Sequence, residues 1–297
     1  MSFLLLQLDS IFQGEVIKRP SKHCKTPYVA DVQLENGEEI LGRSLSLGCC
    51  GLADKGSSVL MTCPTSSNPN KKAVCSHRID LSLYNDLERG EEIVIGINPK
   101  LGENIAEEAL KQTCIRNLIN VQSYTREVKI INSRFDFAGI DENGKPFILE
   151  IKNVPLADYV DVPKKERKNY IDEIKNKQFN EKIAYFPDGY RKNSTDVVSP
   201  RALKHIQELE YIAKKRTVRA ILCFVIQRSD AKQFQTSNVD LIYKDAVKQA
   251  YQNGVEIKTI QVDWNKQGQC HFIRNDLPIS LKNGEFIYTL EDLKRRF

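Results

Sequence analysis

The chain has 297 residues, long enough to bury a substantial core as one large domain or two smaller ones. Lysine and arginine total 44 against 39 acids, a net charge of +5 that permits a nucleic-acid partner without pointing to one. No apolar run is long enough to cross a bilayer, and the N-terminal FLLLQL has neither a basic leader nor a small-residue cleavage site, so an intracellular protein without a membrane partner is expected.

FLLLQL reads as a buried first strand. Up to about Ile97 the pattern is of short strands and turns: GEVIKR, PYVADVQLE, EEILGR, SSVLMT and EEIVIGI, with Asn36-Gly37 a hairpin signal between the second and third. Several short strands at this spacing predict a small β-barrel, of which the OB-fold is a common type. Lys18, Arg19, Lys22 and Lys25, with Tyr28 close by, suit a nucleic-acid backbone with base stacking, or equally a solvated strand edge protected by lysines. Eight cysteines (24, 49, 50, 63, 75, 114, 223 and 270) show no paired C-x-x-C spacing and read as reduced thiols. Cys63, Cys75 and His77 lack the second close pair of a structural zinc site.

Asn98 to Asn104 (NPKLGEN) reads as a linker, after which helices and strands alternate. The spacing of Ile105, Ala109 and Leu110 predicts a helix from Glu103 to about Asn117, followed by a strand around Arg126 to Ile131. Tyr159 to Lys182 is so charged that a solvated helix or mobile insertion is expected. Ser199 as N-cap and Pro200 at the first helical position open a helix. RAILCFVIQ is a strand apolar on both faces, and a helix near Leu241 to Gln252 and the strand GVEIKTIQV close the domain.

The stretch from Ser133 to Asn153, SRFDFAGIDENGKPFILEIKN, carries the strongest functional signal. Asp136 lies in one apolar strand, and Glu150 and Lys152 lie two apart in the next, where unpaired charge is expensive to desolvate. A divalent metal, Mg²⁺ or Mn²⁺, would account for two such carboxylates, and the lysine could orient water or stabilise charge on a phosphate. Glu150 and Lys152 share a strand face. A two-residue Asn143-Gly144 turn would put Asp136 opposite Ile151 and break the site. A three-residue loop, Glu142-Asn143-Gly144, with Gly144 left-handed in a bulge, pairs Asp136 with Glu150 and is the expected geometry. A surface hairpin whose polar face carries these residues in water is the plainer alternative.

REVKIINSRFDFAGIDENGKPFILEIKNVPL, FPD, RALKHIQEL and RAILCFVIQRSDAKQF resemble the sugar fermentation stimulation protein A (SfsA) family. The similarity extends to GEVIKRP and YVADVQLENGEEI, GINPKLGENIAEEAL and AYQNGVEI, and so to most of the chain. The resemblance implies an α+β / α/β protein in two parts: an N-terminal OB-like β-barrel over residues 1–97 and a PD-(D/E)xK nuclease-like α/β domain over 98–297, with a charged insertion around 157–198. Asp136, Glu150 and Lys152 then fall on the catalytic core motif, with the carbonyl of Ile151 and the carboxylate of Glu108 as further metal ligands. Glu127 matches the acid of the family's REVK strand. Lys204 and His205 match its K-H pair on the helix that begins at Pro200, and these two, Arg201 of the same helix, and Lys18, Arg19 and Tyr28 are expected to contact nucleic acid, DNA first. The chain departs from the family at SLSLGCC, which replaces a Cys-Pro-Asn-Thr-Gly-Ser-Met loop, at Leu203, and in the length of the passage from Ala157 to Ser199.

Two readings follow. One is a metal-dependent nuclease that binds nucleic acid without strong sequence specificity. The other, favoured by the family's association with DNA binding and with regulation of sugar utilisation, is a non-catalytic DNA-binding regulator on a nuclease scaffold. An enzyme acting on sugars has no motif behind it.

Overall fold

A computed structural model describes residues 3–47, 51–64, 75–86, 90–163, 166–176, 182–187, 196–282 and 285–287. The first strand, β1 (Leu4–Gln7), is followed by β2 (Phe12–Lys18), β3 (Val29–Leu34), β4 (Glu39–Ser44), β5 (Ser58–Thr62) and β6 (His77–Asp86). The order β4-β3-β2-β5-β6 returns to β4 through a parallel β4–β6 pairing, which closes a five-stranded barrel with OB-type connectivity. Its core is Val16, Val32, Val59, Met61, Ile79 and Ile95. β6 is not among the expected strands, although it completes the closure.

Beyond the barrel come β7 (Glu91–Gly96) and α1 (Pro99–Lys111). The helix begins earlier than its apolar spacing predicts. Asn98 caps it by accepting from the Lys100 N–H, Pro99 sits in its first turn, and the expected linker is therefore the helix start. The strands β8 (Ser123–Ile130), β9 (Ser133–Ile140) and β10 (Pro146–Val154) form an antiparallel meander. After β11 (Ala157–Asp158), α2 (Ile171–Asn176), β12 (Ile183–Phe186) and α3 (Pro200–Lys214), β13 (Arg219–Ile226) returns parallel to β10. β14 (Gln233–Thr236), α4 (Leu241–Gln252) and β15 (Glu256–Trp264) follow, with β15 parallel to β13. β16 (Gln269–Arg274), β17 (Ile279–Lys282) and β18 (Glu285–Ile287) end the described chain. β1 does not enter the barrel but pairs with β16.

β13 explains the layering. Ile221, Cys223 and Val225 face the core shared with α1, while Ala220, Leu222, Phe224 and Ile226 face the core under α3 and α4. A strand covered on both sides has to be apolar at every covered position, as Ala220 to Ile226 are. Among the described residues, the barrel and this α/β layer share one 13-stranded sheet, joined where Trp264 of β15 meets Val94 of β7. At that joint a Cβ on Gly96 would lie 1.9 Å from Gln227 Oε1 and 2.7 Å from Trp264 Nε1. Gln227 is held by Trp264 Nε1 at 3.0 Å and bonds Asn153 Oδ1 at 2.6 Å, so it has no free direction in which to give. Gly96→Ala is therefore expected to destabilise the fold by about 1–3 kcal/mol, read as a lower Tm.

The charged passage is in part the expected solvated helix, since Ile171, Asp172, Glu173 and Asn176 of α2 are exposed, but Tyr159, Val160, Ile174 and Lys182 within it are buried. β11 and β12 open a five-stranded sheet with β14, β17 and β18, and Lys182 is 1% exposed. Other parts of the passage, Asp188 of the FPD segment among them, lie outside the described residues, as do Cys49 and Cys50.

Candidate active site

The loop between β9 and β10 has the expected form. Asp141 N–H donates to the Lys145 carbonyl, Gly144 N–H donates back to Asp141, and Gly144 has φ +74°. Ile140 pairs with Pro146 and Phe137 with Leu149, a register that sets Asp136 opposite Glu150. Asp136, Glu150 and Lys152 consequently line one cavity of about 300 Å³, with Ile151 beside them. Its other walls come from four separate elements: Glu103 of α1, Ser46 after β4, Tyr185 and Phe186 of β12, and Arg201 of α3.

The two carboxylates are unlike. Asp136 Oδ2 accepts from the Ile151 N–H at 2.7 Å. Burial, and then the charge of Glu150, push the Asp136 carboxyl up to about 7, against the weaker opposing pull of that N–H and of Lys152. Burial acts the same way on Glu150, but Lys152 and His205 more than offset it and hold Glu150 below the ordinary carboxylate range. Lys152 Nζ and His205 Nδ1 both donate to Glu150 Oε1. A carboxylate can only accept, so the His205 proton sits on Nδ1. The other oxygen, Glu150 Oε2, is buried and has no partner. A buried, ionised, unpartnered oxygen beside a second carboxylate is a place where a cation would relieve two unfavourable terms at once. The donor set of hard oxygens suits Mg²⁺ or Mn²⁺. Among the described residues no group of three or more His, Cys, Asp or Glu side chains is arranged around a metal position. A metal at this cavity would thus rest on two carboxylates, completed by backbone oxygen and solvent.

A model of the sugar fermentation stimulation protein RE domain matches residues 100–163 and 156–268, more than half of the chain. The chain belongs to the sugar fermentation stimulation protein (SfsA) family. A homologue from Shewanella frigidimarina is 27% identical over 86% of this chain and 92% of its own length, and one from Maricaulis maris is 28% identical over 83% and 87%. The solved structure of Pyrococcus furiosus SfsA in complex with Ca²⁺ aligns with a TM-score of 0.70 at 16% identity, covering 94% of this chain and 99% of that one. The SfsA fold, an OB-like barrel followed by an α/β domain, is therefore shared despite distant sequences.

Against this SfsA frame the remaining expected residues separate. Glu108 is not brought to the cavity. Five residues along a helix is about 140° of rotation, and Glu108 instead pairs with Lys111 at 2.7 Å, while Glu103 faces the site. Glu103 adds to the field that raises Asp136. The signal for it is the Asn98-Pro99 helix start, which sets Glu103 in the second turn. Glu127 stays on the exposed edge, paired with Lys100 and Arg134. His205, expected at a phosphate, is 4% exposed and lies behind Glu150, to which its Nδ1 donates. Arg201 lines the cavity as an exposed cation, whereas Lys204, on the same helix, reaches out to the Asn132 carbonyl at 2.6 Å. Lys18 is exposed on β2 and Tyr28 is 38% exposed. Arg19 is not available in the same way. It donates to the Pro27, Ser46 and Ala53 carbonyls, and so braces the barrel loop that carries Ser46 to the cavity rim.

Proposed function

We propose that the chain is a metal-dependent phosphodiester hydrolase acting on nucleic acid, DNA first, without strong sequence readout. The observation that carries this reading is the pairing of Asp136 with Glu150 in one cavity with Lys152, with Glu150 Oε2 buried and unpartnered. The Ca²⁺ complex of Pyrococcus furiosus SfsA supports a divalent ion in this fold.

Asp136, Glu150 and the Ile151 carbonyl would hold Mg²⁺ or Mn²⁺, which supplies Lewis acidity toward a phosphate and acidifies a water. The other contributions belong to the chain. His205 holds Glu150 in place and keeps it ionised. Lys152, within reach of Glu150, is placed to orient the attacking water or to meet charge developing on phosphate oxygens. Arg201 offers a planar fork to a neighbouring phosphate. Residues 1–97 would hold a strand through Lys18 and Tyr28 while residues 98–297 cut it.

The test is cleavage of labelled single- and double-stranded DNA and RNA with Mg²⁺, Mn²⁺ or EDTA, by the parent protein and by Lys152→Ala. Metal-dependent cutting that disappears in the variant supports the proposal. Salt-sensitive binding with no cutting under any condition would replace it with the non-catalytic, DNA-binding reading. His205→Ala is expected to lower turnover about 10–100-fold, as loss of a residue that orients a metal-holding group does, with nucleic-acid affinity unchanged in a filter-binding assay.

A further inference from the structure

A second cavity, of about 450 Å³, lies at the opposite end of the parallel strands. Lys145, just before β10, and Arg219 and Glu256, which open β13 and β15, line it, together with Lys214 and Arg216 at the end of α3. The candidate active site sits near the other ends of these strands. The five residues from Lys145 to Glu150, the nearest lining residues on this strand, put the two cavities roughly 17 Å apart at strand rise.

The charges in this cavity are uneven. Arg219 is fully engaged: it bonds Glu256 at 2.7 and 2.9 Å, Asp141 at 2.9 Å and the Asn117 carbonyl at 2.6 Å. Lys214 pairs with Glu210 at 2.6 Å. Lys145 and Arg216 make no side-chain hydrogen bond or ion pair among the described residues. The ends of α3 and α4 meet at this cavity, and their carbonyls present roughly half a negative charge each. Glu256 and Asp141 engage Arg219 and Glu210 pairs with Lys214, so the cavity is close to neutral as a whole and its unpaired positive charge is local, at Lys145 and Arg216.

Arg216 also sits in an unfavourable backbone conformation. The chain leaves α4 through Gly254 at φ +98°, the usual residue for a left-handed turn out of a helix. It leaves α3 through Arg216 at φ +57°, where a side chain with a Cβ is strained. Strain held at one residue of a cavity is a reason to look for a task at that residue. The size of the cavity falls within the range of small-molecule sites, and arginine and lysine are the side chains that hold phosphate.

We propose that this cavity binds a phosphate-bearing anion through Arg216 and Lys145, independently of the candidate active site. The phosphate could belong to a free small molecule or to a nucleic-acid backbone, and the chemistry of recognition is the same.

The test is isothermal titration of the full chain with inorganic pyrophosphate in EDTA, where no divalent ion can bridge it to Asp136 and Glu150. Saturable binding is expected that weakens at least tenfold in Arg216→Gly and disappears in Arg216→Gly with Lys145→Gln. Asp136→Asn is expected to leave it unchanged. Because glycine relieves the left-handed turn, the ligand-free Tm of Arg216→Gly is expected to stay level or rise. Arg216→Asn, which also tolerates that conformation, serves if the glycine variant folds poorly. A single-stranded oligonucleotide, titrated into the same variants, distinguishes the sources. A parallel tenfold loss assigns the phosphate to a nucleic-acid backbone, and a loss for pyrophosphate alone assigns it to a small molecule. No saturable pyrophosphate binding, binding untouched by both substitutions, or a lower Tm with unchanged binding would overturn the proposal and leave these cations as caps on two helix ends.

Discussion

Replacing Lys182 with methionine is expected to destabilise the fold by about 3–5 kcal/mol, the usual consequence of removing one partner from a buried ionic cluster. Lys182 Nζ donates to Asp86 Oδ2 at 2.7 Å and to Asp230 Oδ2 at 2.6 Å. Arg228 grips the same Asp230 with two bonds, at 2.6 and 2.7 Å, and reaches the Pro155 carbonyl at 3.0 Å. All four side chains are nearly inaccessible, and their charges cancel. Without Lys182, two buried carboxylates face one guanidinium. Methionine keeps the length of the stem, so the loss isolates the charge. Adding Asp86→Asn should recover more than half of it, since the cluster is then neutral again, and a double-mutant cycle in urea measures that coupling. Burial alone would raise Asp230, yet Arg228 and Lys182 hold it well below its usual range. Its stabilising contribution is therefore present above about pH 4 and is lost as pH falls below that. Equal urea midpoints for the parent and Lys182→Met at pH 7 would contradict this account. The cluster also positions the cavity wall. Lys182 lies three residues before Tyr185, and its partners belong to the barrel strand β6 and to the turn after β13. Loosening it should therefore impair the candidate site as well as the fold.

That cluster marks where sequence reading stops. The partners of Lys182 are 96 and 48 residues away, so the charged stretch from Tyr159 to Lys182 shows charge and not its neutralisation. The hairpin is legible because turn chemistry is local. DENGK specifies a three-residue loop, the loop specifies the register, and the register decides whether Asp136 meets Glu150. α3 and α4 are legible for the same kind of reason, through Ser199-Pro200 and through the apolar spacing from Leu241 to Gln252. The start of α1 is not, because the proline and glycine of NPKLGEN read as linker residues, whereas Pro99 occupies a position helices favour. That misreading leaves Glu103 at the edge of the expected helix, while Glu108 is expected because it matches an acid of the family's EEAL segment. β6 escapes notice because four of its buried positions, His77, Asp80, Ser82 and Asp86, are polar. Asp80 turns inward to accept from Thr62 and Asn98, which ties the barrel to the first turn of α1. His205 and Arg19 stand out in the sequence, but with a solvent-facing task. Whether a cation points outward or braces its own fold depends on tertiary neighbours that no spacing encodes.

Asp136→Asn is expected to abolish cleavage while making the metal-free protein more stable. The asparagine Oδ1 can still accept from the Ile151 N–H, so the hairpin keeps its bond. What goes is the charge. Asp136 carries a proton in the fold up to about pH 7, whereas in the unfolded chain it loses it near 3.8. Between those values the folded state holds more protons than the unfolded state, so stability falls as pH rises through the window. Above pH 7 the burden is complete, and the displacement corresponds to roughly 4 kcal/mol. Below 3.8 both states are protonated and the burden is absent. Removing the ionisable group should therefore raise stability at pH 8 by about 2–4 kcal/mol, or several degrees in Tm, and by little at pH 3.5. Activity should move the other way. A ligand lost from a metal site forfeits several kcal/mol of transition-state stabilisation, at least about a thousandfold in rate. Mg²⁺ or Mn²⁺ should raise the Tm of the parent more at pH 8 than at pH 5, because at the lower pH a cation must displace a proton, and should raise that of the variant less. Differential scanning calorimetry at pH 3.5, 5 and 8, with and without metal, reads all of this independently of any substrate. A variant less stable than the parent at pH 8 would mean that Asp136 is a structural carboxylate already satisfied by its surroundings. A variant more stable but inactive would mark Asp136 as a residue retained at the expense of the fold.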